Sequence, residues 1–383
     1  MSSAMGDGMN PLKGEQFSGV LVNWQKQHGR QTLPWQHTDD AYKVWLSEVM
    51  LQQTQVSTVL AYYDRFLKAY PTVADLAAAP DQDVMQLWAG LGYYSRARNL
   101  HACAKQVVLR FNGQFPRTVA ELESLPGIGQ STAGAIASLA YGVQAPILDG
   151  NVKRVFCRYY GVEGYPEQSS IKKNLWAIAT GNVPSDFPGV YNQALMDLGA
   201  TCCVPRNPAC ARCPLMNTCM ALRKGMVGQL PTPKPKKARP ELYFVSLIVR
   251  DETGAVLLEL QTAKGVWQDL WTPPCVPCNG DVSSSEVMHL LEPVLIQHNL
   301  EAFRDVLLEQ AKSLDRQSWL VHELTHRKMH FKVLSLKVPK AMEGCYPLTA
   351  KPVPKIVHKL MAQLDLLDGS GQAAVTQQDT LDF

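Results

Sequence analysis

The sequence predicts a mostly α N-terminal domain joined by a linker to a smaller α+β domain. Three observations carry that fold class. From about Phe17 to Ala221, apolar residues recur largely at three- and four-residue spacing, the repeat of helices that bury one face. Gly225–Pro240 (GMVGQLPTPKPKKARP) then brings four prolines and four basic residues with few large apolar ones, the composition of an extended, semi-rigid linker. Past it the apolar period falls to two in YFVSLIVR and FKVLSLKV, the repeat of strands. The expected boundaries are 17–224 for the helical domain, 225–240 for the linker, 241–367 for the α+β domain and 368–383 for a polar, Gln-rich tail expected to be disordered.

Within the helical domain, Val44, Trp45, Val49, Val56, Val59, Leu60, Tyr63, Phe66 and Leu67 form one long amphipathic pattern, read as a single long helix. Shorter helical patterns follow at Pro80–Trp88, Ser95–Phe111, Val119–Leu125, Ser131–Tyr141, Val152–Tyr160 and Ile171–Thr180, separated by Gly and Pro. In the C-terminal part, Tyr243–Arg250 and Ala255–Leu260 flank the turn Asp251–Gly254 as a β-hairpin. Phe331–Val338 is a further strand, and Val287–Leu300 and Val353–Leu367 are helices.

Composition narrows the class. Hydrophobic residues at 46% and charged residues at 19% describe a soluble globular chain, and no apolar run is long enough to span a bilayer. The opening MSSAMGDGMN has neither a basic start nor an apolar stretch, so no secretory signal is expected and a reducing, cytoplasmic compartment is. Ten cysteines there point to metal ligation before disulfides. A net charge of +3 does not by itself announce nucleic acid, so any such surface must be a local concentration of Lys and Arg.

Cys203, Cys210, Cys213 and Cys219 are spaced C-x6-C-x2-C-x5-C, close enough for four thiolates to converge on Zn²⁺ or a [4Fe–4S] cluster. Cys202 is adjacent but out of the pattern. Cys275 and Cys278 form a second CxxC with no partner pair, which reads as a chance pair in a loop.

Leu125–Ile136 (LPGIGQSTAGAI) places Gly127 and Gly129 two apart between helices. The chain there turns tightly, and backbone N–H groups at a helix N-terminus favour an anion such as phosphate. Asp149, in ILDGNVKRV, is positioned to cap the helix that begins near Val152. Glu48 lies among Leu46, Val49, Met50 and Leu51. It is either a solvent-edge charge or a carboxyl in an apolar pocket whose raised pKa suits it to donate a proton.

Taken together, SEVMLQQTQV, the Gly-x-Gly hairpin, the aspartate 18 residues past Ser131 and the cysteine loop resemble the MutY-type adenine DNA glycosylases of the endonuclease III, helix-hairpin-helix superfamily. The resemblance runs nearly continuously from about Val20 to Leu222. It implies a [4Fe–4S] cluster on the four cysteines, a hairpin that grips the DNA backbone, and Asp149 as the catalytic carboxylate. It also implies that Glu48 protonates adenine N7. Ser131 stands where relatives that cut the backbone carry a Schiff-base lysine, so monofunctional base removal is expected. Asn151 is expected to orient Asp149 or the sugar, and Lys153 to face DNA. Tyr93, with Gln52 and Gln53, matches the wedge pushed into the base stack, although Gly-Tyr-Tyr at a helix start also reads as packing. Arg96 and Arg98 are expected at phosphates.

Residues 241 to about 365 resemble, more loosely, the MutT (Nudix)-like domain of that family, which inspects 8-oxoguanine. GVWQDLWTPP matches Gly-x-x-x-x-Leu-Trp, but no carboxylate-rich Mg²⁺ stretch follows, so a reader is expected and not a second enzyme. Thr325 and His326 fall at the Phe-Ser-His recognition loop, with Leu324 in place of the aromatic. The expected partner is duplex DNA carrying A:8-oxoG or A:G, bound by a monomer, nucleoid-associated if the cell is bacterial. Gln378, Leu381 and Phe383 fit Q-x-x-L-x-F, which resembles peptides that insert into the replication sliding clamp. The competing readings are an endonuclease III-type bifunctional pyrimidine glycosylase and a non-catalytic damage-binding protein.

Overall fold

A computed structural model describes residues 10–36, 38–235 and 238–367. The tail, with the expected clamp-binding residues Gln378, Leu381 and Phe383, lies outside the described residues. The chain divides into two compact units, Met1–Leu87 with Tyr93–Lys236 and Trp88–Gly92 with Lys237–Phe383.

The first unit is helical: α1 (Gly14–His28), α2 (Ala41–Leu51), α3 (Val56–Ala69), α4 (Val73–Ala78), α5 (Asp81–Trp88), α6 (Ser95–Phe111), α7 (Val119–Glu123), α8 (Gln130–Tyr141), α9 (Gly150–Tyr160), α10 (Ser169–Asn182), α11 (Pro188–Thr201) and α12 (Met220–Arg223). One of its cores joins α1, α9, α10 and α11. There Phe17 lies within 5.0 Å of Tyr159 and 6.1 Å of Phe156, ring centre to ring centre, and Tyr191 and Leu198 close the cluster.

The single long helix expected from Val44 to Leu67 is two helices. It breaks at Gln52–Gln55, where Gln53 adopts φ 56°. The reason is Arg96 of α6, which is buried and donates to the carbonyls of Val49 and Met50, each at 2.9 Å, and to the Thr54 hydroxyl at 3.0 Å. A guanidinium from another helix thus satisfies carbonyls that the next helical turn would otherwise have taken. Arg96 was expected at a phosphate. Its burial among carbonyls makes it a structural cap instead.

The expected linker also differs at its start. Leu230 is buried and its carbonyl accepts from Arg158 Nε at 2.8 Å, while the Thr232 hydroxyl accepts from the Gly164 N–H at 3.1 Å. The segment through Thr232 is therefore held on the first unit.

The second unit is built on β1 (Glu241–Arg250), β2 (Val256–Leu257), β3 (Glu259–Leu260), β4 (Trp271–Thr272), β5 (Cys275–Cys278), β6 (Leu320–Glu323), β7 (Lys328–Lys337) and β8 (Cys345–Tyr346), with α13 (Ser284–Gln297), α14 (Arg304–Lys312) and α15 (Lys355–Leu367). The main sheet runs β6-β7-β1-β2-β8, with β5 also paired to β1. The β1–β7 ladder is parallel, and β1 turns into β2 as the expected hairpin, Arg250 opposite Val256. Alternation along β1 sends Val245, Leu247 and Val249 toward α13 and α14, and Ile248 toward α15, so helices cover both faces. The same two-residue period places Cys275 and Cys278, three apart on β5, in opposite cores. They cannot share a metal ion or a disulfide in this fold.

Candidate active site

Helix α8 packs against both α2 and α11. Beside it the first unit holds a cavity of about 1200 Å³, with Val44, Ser47, Glu48 and Leu51 of α2 on one wall and Pro188, Val190 and Gln193 of α11 on another. Val44, Ser47, Glu48 and Leu51 stand at the three- and four-residue spacing of one helix face, so the sequence of α2 dictates that its acid looks into the cavity. Burial, and then the charge of Asp149, push the Glu48 carboxyl up to about 7. Asp149 caps α9, accepting from the Val152 N–H at 2.8 Å. Burial raises its pKa as well, while that hydrogen bond and Arg154 pull in the other direction. Both carboxyls are thus held toward their neutral forms by burial, and Asp149 alone is also given donors.

The segment that carries Asp149 is fixed from three sides. The Ser131 hydroxyl accepts from the Leu148 N–H at 2.9 Å, and Asn192 donates to the Ala145 carbonyl at 2.9 Å. Gly134 of α8 meets the same segment so closely that a Cβ there would lie 2.1 Å from the Pro146 carbonyl oxygen.

Around the hairpin, Gly127 has φ 76°, and a Cβ on it would come within 2.7 Å of Asn99. Gly129 caps α8 and has open space beside it. Gln52 reaches Thr132 of α8 at 3.5 Å, and Gln53 is exposed. Tyr93 is 43% exposed with φ 47°, its ring 5.5 Å from the guanidinium carbon of Arg96. Arg96 thus joins the end of α2, which leads into Gln52 and Gln53, to the Tyr93 ring. Asn151 accepts from Arg154 at 2.8 Å, which fixes its amide; Lys153 is paired with Glu167.

Cys203, Cys210, Cys213, Cys219 and the unassigned Cys202 line one small cavity with Arg158. Among the described residues no three Cys, His, Asp or Glu side chains are grouped closely enough to hold a metal ion. Arg154 and Arg158, both more than nine-tenths buried, hold the loop through the carbonyls of Cys203, Val204 and Pro205 at 2.7, 2.7 and 2.9 Å. Neither has a carboxylate in ion-pair contact among the described residues. Buried cations of this kind need a counter-charge, and a thiolate-ligated cluster would provide it.

In the second unit Thr325 and His326 are exposed at the tip of the β6–β7 hairpin, closed by Leu324 N–H donating to the Arg327 carbonyl at 2.9 Å. Leu324 packs into the core beneath. Sequence reasoning missed Trp35 and Phe187 on the cavity, and missed fully buried Asp197. That carboxylate accepts from Gln25, Gln193 and the Arg30 backbone and Nε at 2.7 to 2.9 Å. An acid inside the apolar stretch ALMDLGA was the available signal.

Residues 46–180 match the HhH-GPD superfamily base excision DNA repair protein family. An adenine DNA glycosylase of Buchnera aphidicola subsp. Baizongia pistaciae is 41% identical over 269 residues, covering 70% of this chain and 76% of that protein. The Homo sapiens adenine DNA glycosylase is 34% identical over 380 residues, 88% of this chain and 69% of that one. A thermostable thymine-DNA glycosylase structure superposes with a TM-score of 0.50 at 31% identity, over 55% of this chain and 96% of that chain.

A carboxyl whose folded-state pKa is raised stabilises the fold fully below its ordinary value of 4.5, and that contribution is lost as pH climbs through about 7. Glu48→Gln should therefore resist urea better than the parent at about pH 8 and match it near pH 4. Equal unfolding midpoints at the higher pH would mean the carboxyl is solvated.

Proposed function

Because the chain belongs to the adenine DNA glycosylase family and is a DNA N-glycosylase of base excision repair, we propose that it releases adenine opposite 8-oxoguanine or guanine in duplex DNA without cutting the strand. The observation that carries this reading is the placement of Glu48 on the cavity wall, where burial and then the charge of Asp149 push its carboxyl up to about 7.

Adenine is a poor leaving group until protonated. With the base extruded into the cavity, neutral Glu48 donates its proton to N7, and the C1′–N9 bond breaks with oxocarbenium character. The Asp149 carboxyl, held by the α9 N-terminus, stabilises that cation. Water adds at C1′, and ionised Glu48 takes up its proton. Ser131 offers no amine for a Schiff base, so the sugar stays closed. Gly127, Gly129, Gln52, Gln53, Tyr93, Asn151 and Lys153 bind the DNA around the extruded nucleotide, with Tyr93 in the gap.

Cys203, Cys210, Cys213 and Cys219 hold a [4Fe–4S] cluster in this reading, whose chemistry is a covalent anchor for the loop. The buried Arg154 and Arg158 support it. The second unit is the MutT-like reader, with Thr325 and His326 meeting 8-oxoguanine.

Three outcomes follow. Wild-type protein releases adenine from A:8-oxoG duplex, and strands break only after hot alkali. Glu48→Gln loses about 10²–10⁴-fold in single-turnover rate, and Asp149→Asn loses turnover while keeping DNA affinity. Nicking before alkali, or an active Asp149→Asn, would refute the assignment. Purified protein carries about four iron and four labile sulfide per chain, and Cys213→Ser reduces both; unchanged iron content in that variant would exclude this ligand set. Thr325→Ala with His326→Ala narrows the rate gap between A:8-oxoG and A:G, measured on both duplexes, whereas equal losses would mean a general binding defect.

A further inference from the structure

Phe187 stands at the start of α11 and lines the cavity that holds Glu48. It is 70% exposed; among the described large apolar residues only Leu109, at 75%, is more so. Its backbone is left-handed, with φ 56° and ψ 45°, a conformation uncommon for a bulky aromatic. Neither burial nor backbone preference accounts for a phenylalanine there, since a glycine would be comfortable and a polar residue better solvated.

The position itself is rigid. Pro188 fixes the first helical residue, the Tyr191 N–H donates to the Phe187 carbonyl at 3.1 Å, and Gly189 packs so tightly on α8 that a Cβ would sit 2.7 Å from the Ser138 carbonyl oxygen. The ring is thus presented from an anchored helix end. Trp35, on the α2 side of the same cavity, is by contrast 8% exposed and packed edge-on to Tyr63 at 5.2 Å.

We propose that Phe187 is a substrate-stacking residue, whose ring covers the face of the extruded adenine and holds N7 toward Glu48. This rests on the adenine-releasing reading above. A purine leaving a duplex loses stacking on both faces, and an aromatic side chain at the pocket mouth replaces one of them. The polar rim of the cavity, which includes Lys26, Arg30, Asp39 and Asp186, offers no such surface. The exposed ring in the free protein is a contact waiting for the base.

The test compares two duplexes that differ only at the target position. One carries 2′-fluoro-deoxyadenosine, which resists hydrolysis, opposite 8-oxoguanine; the other carries a tetrahydrofuran abasic analogue there. Phe187→Ala should weaken binding of the adenine duplex by about tenfold and change the abasic duplex by less than about twofold. Phe187→Tyr and Phe187→Trp should restore the difference. Phe187→Gly removes the left-handed strain, so its thermal midpoint should rise while its preference for the adenine duplex falls, a pairing that a merely structural role would not give. An unchanged ratio of the two affinities in Phe187→Ala and Phe187→Gly overturns the proposal, as does an equal loss on both duplexes. Adenine release by the wild-type protein is scored separately. Its absence defeats the functional reading, and its presence with an unchanged ratio defeats only the role of Phe187.

Discussion

Two buried guanidinium groups on one helix hold the first unit's chemistry together. Arg154 and Arg158 of α9 donate to the backbone around the cysteine loop, to Gly199 at the end of α11, and to Leu230. The N-terminus of that helix is capped by Asp149. A displacement of the cysteine loop would therefore be felt at the carboxylate through a single rigid rod of eleven residues. Desolvating two cations is costly unless their donors are used and their charge is answered. The carbonyls meet the first need; a cluster on the cysteines around Arg158, as proposed above, would meet the second.

The cavity is organised by a comparable division of labour. Glu48 and Asp149 both resist ionisation through burial, yet only Asp149 sits at a helix N-terminus with backbone donors and a nearby arginine. Burial pushes both carboxyls toward their neutral forms, and the donors around Asp149 alone oppose that push. Asp197 gathers Gln25, Arg30 and Gln193 around one buried carboxylate, joining α11 to α1 and the segment after it.

Much of this was legible in the sequence because it is local. The Gly127–Gly129 turn, the Asp149 cap, the acid-bearing face of α2 and the close cysteine spacing each need only a few neighbouring residues to be read. What escaped depends on contacts between distant positions. Arg96 ends α2 from 46 residues away, so the periodicity of Val44–Leu67 runs straight through a break it cannot register. Leu230 looks like linker until Arg158 takes its carbonyl. Phe187 has no periodic signature, because its meaning lies in being left outside. Cys275 and Cys278 read as a chance pair, and strand pleating agrees by turning them to opposite cores, although they lie on β5 and not in a loop.

Gly134 has a consequence for how this protein fails. With the Pro146 oxygen 2.1 Å from where a Cβ would be, the position admits no side chain unless the backbone moves. A missense change there would leave every reactive group in the chain intact and still shift the Asp149 segment. On the proposed reading such a variant would lose activity by moving that segment, whereas a Glu48 substitution would act with the fold unchanged. The close approach of helix α8 to one carbonyl thus makes a residue with no reactive group a determinant of where Asp149 stands.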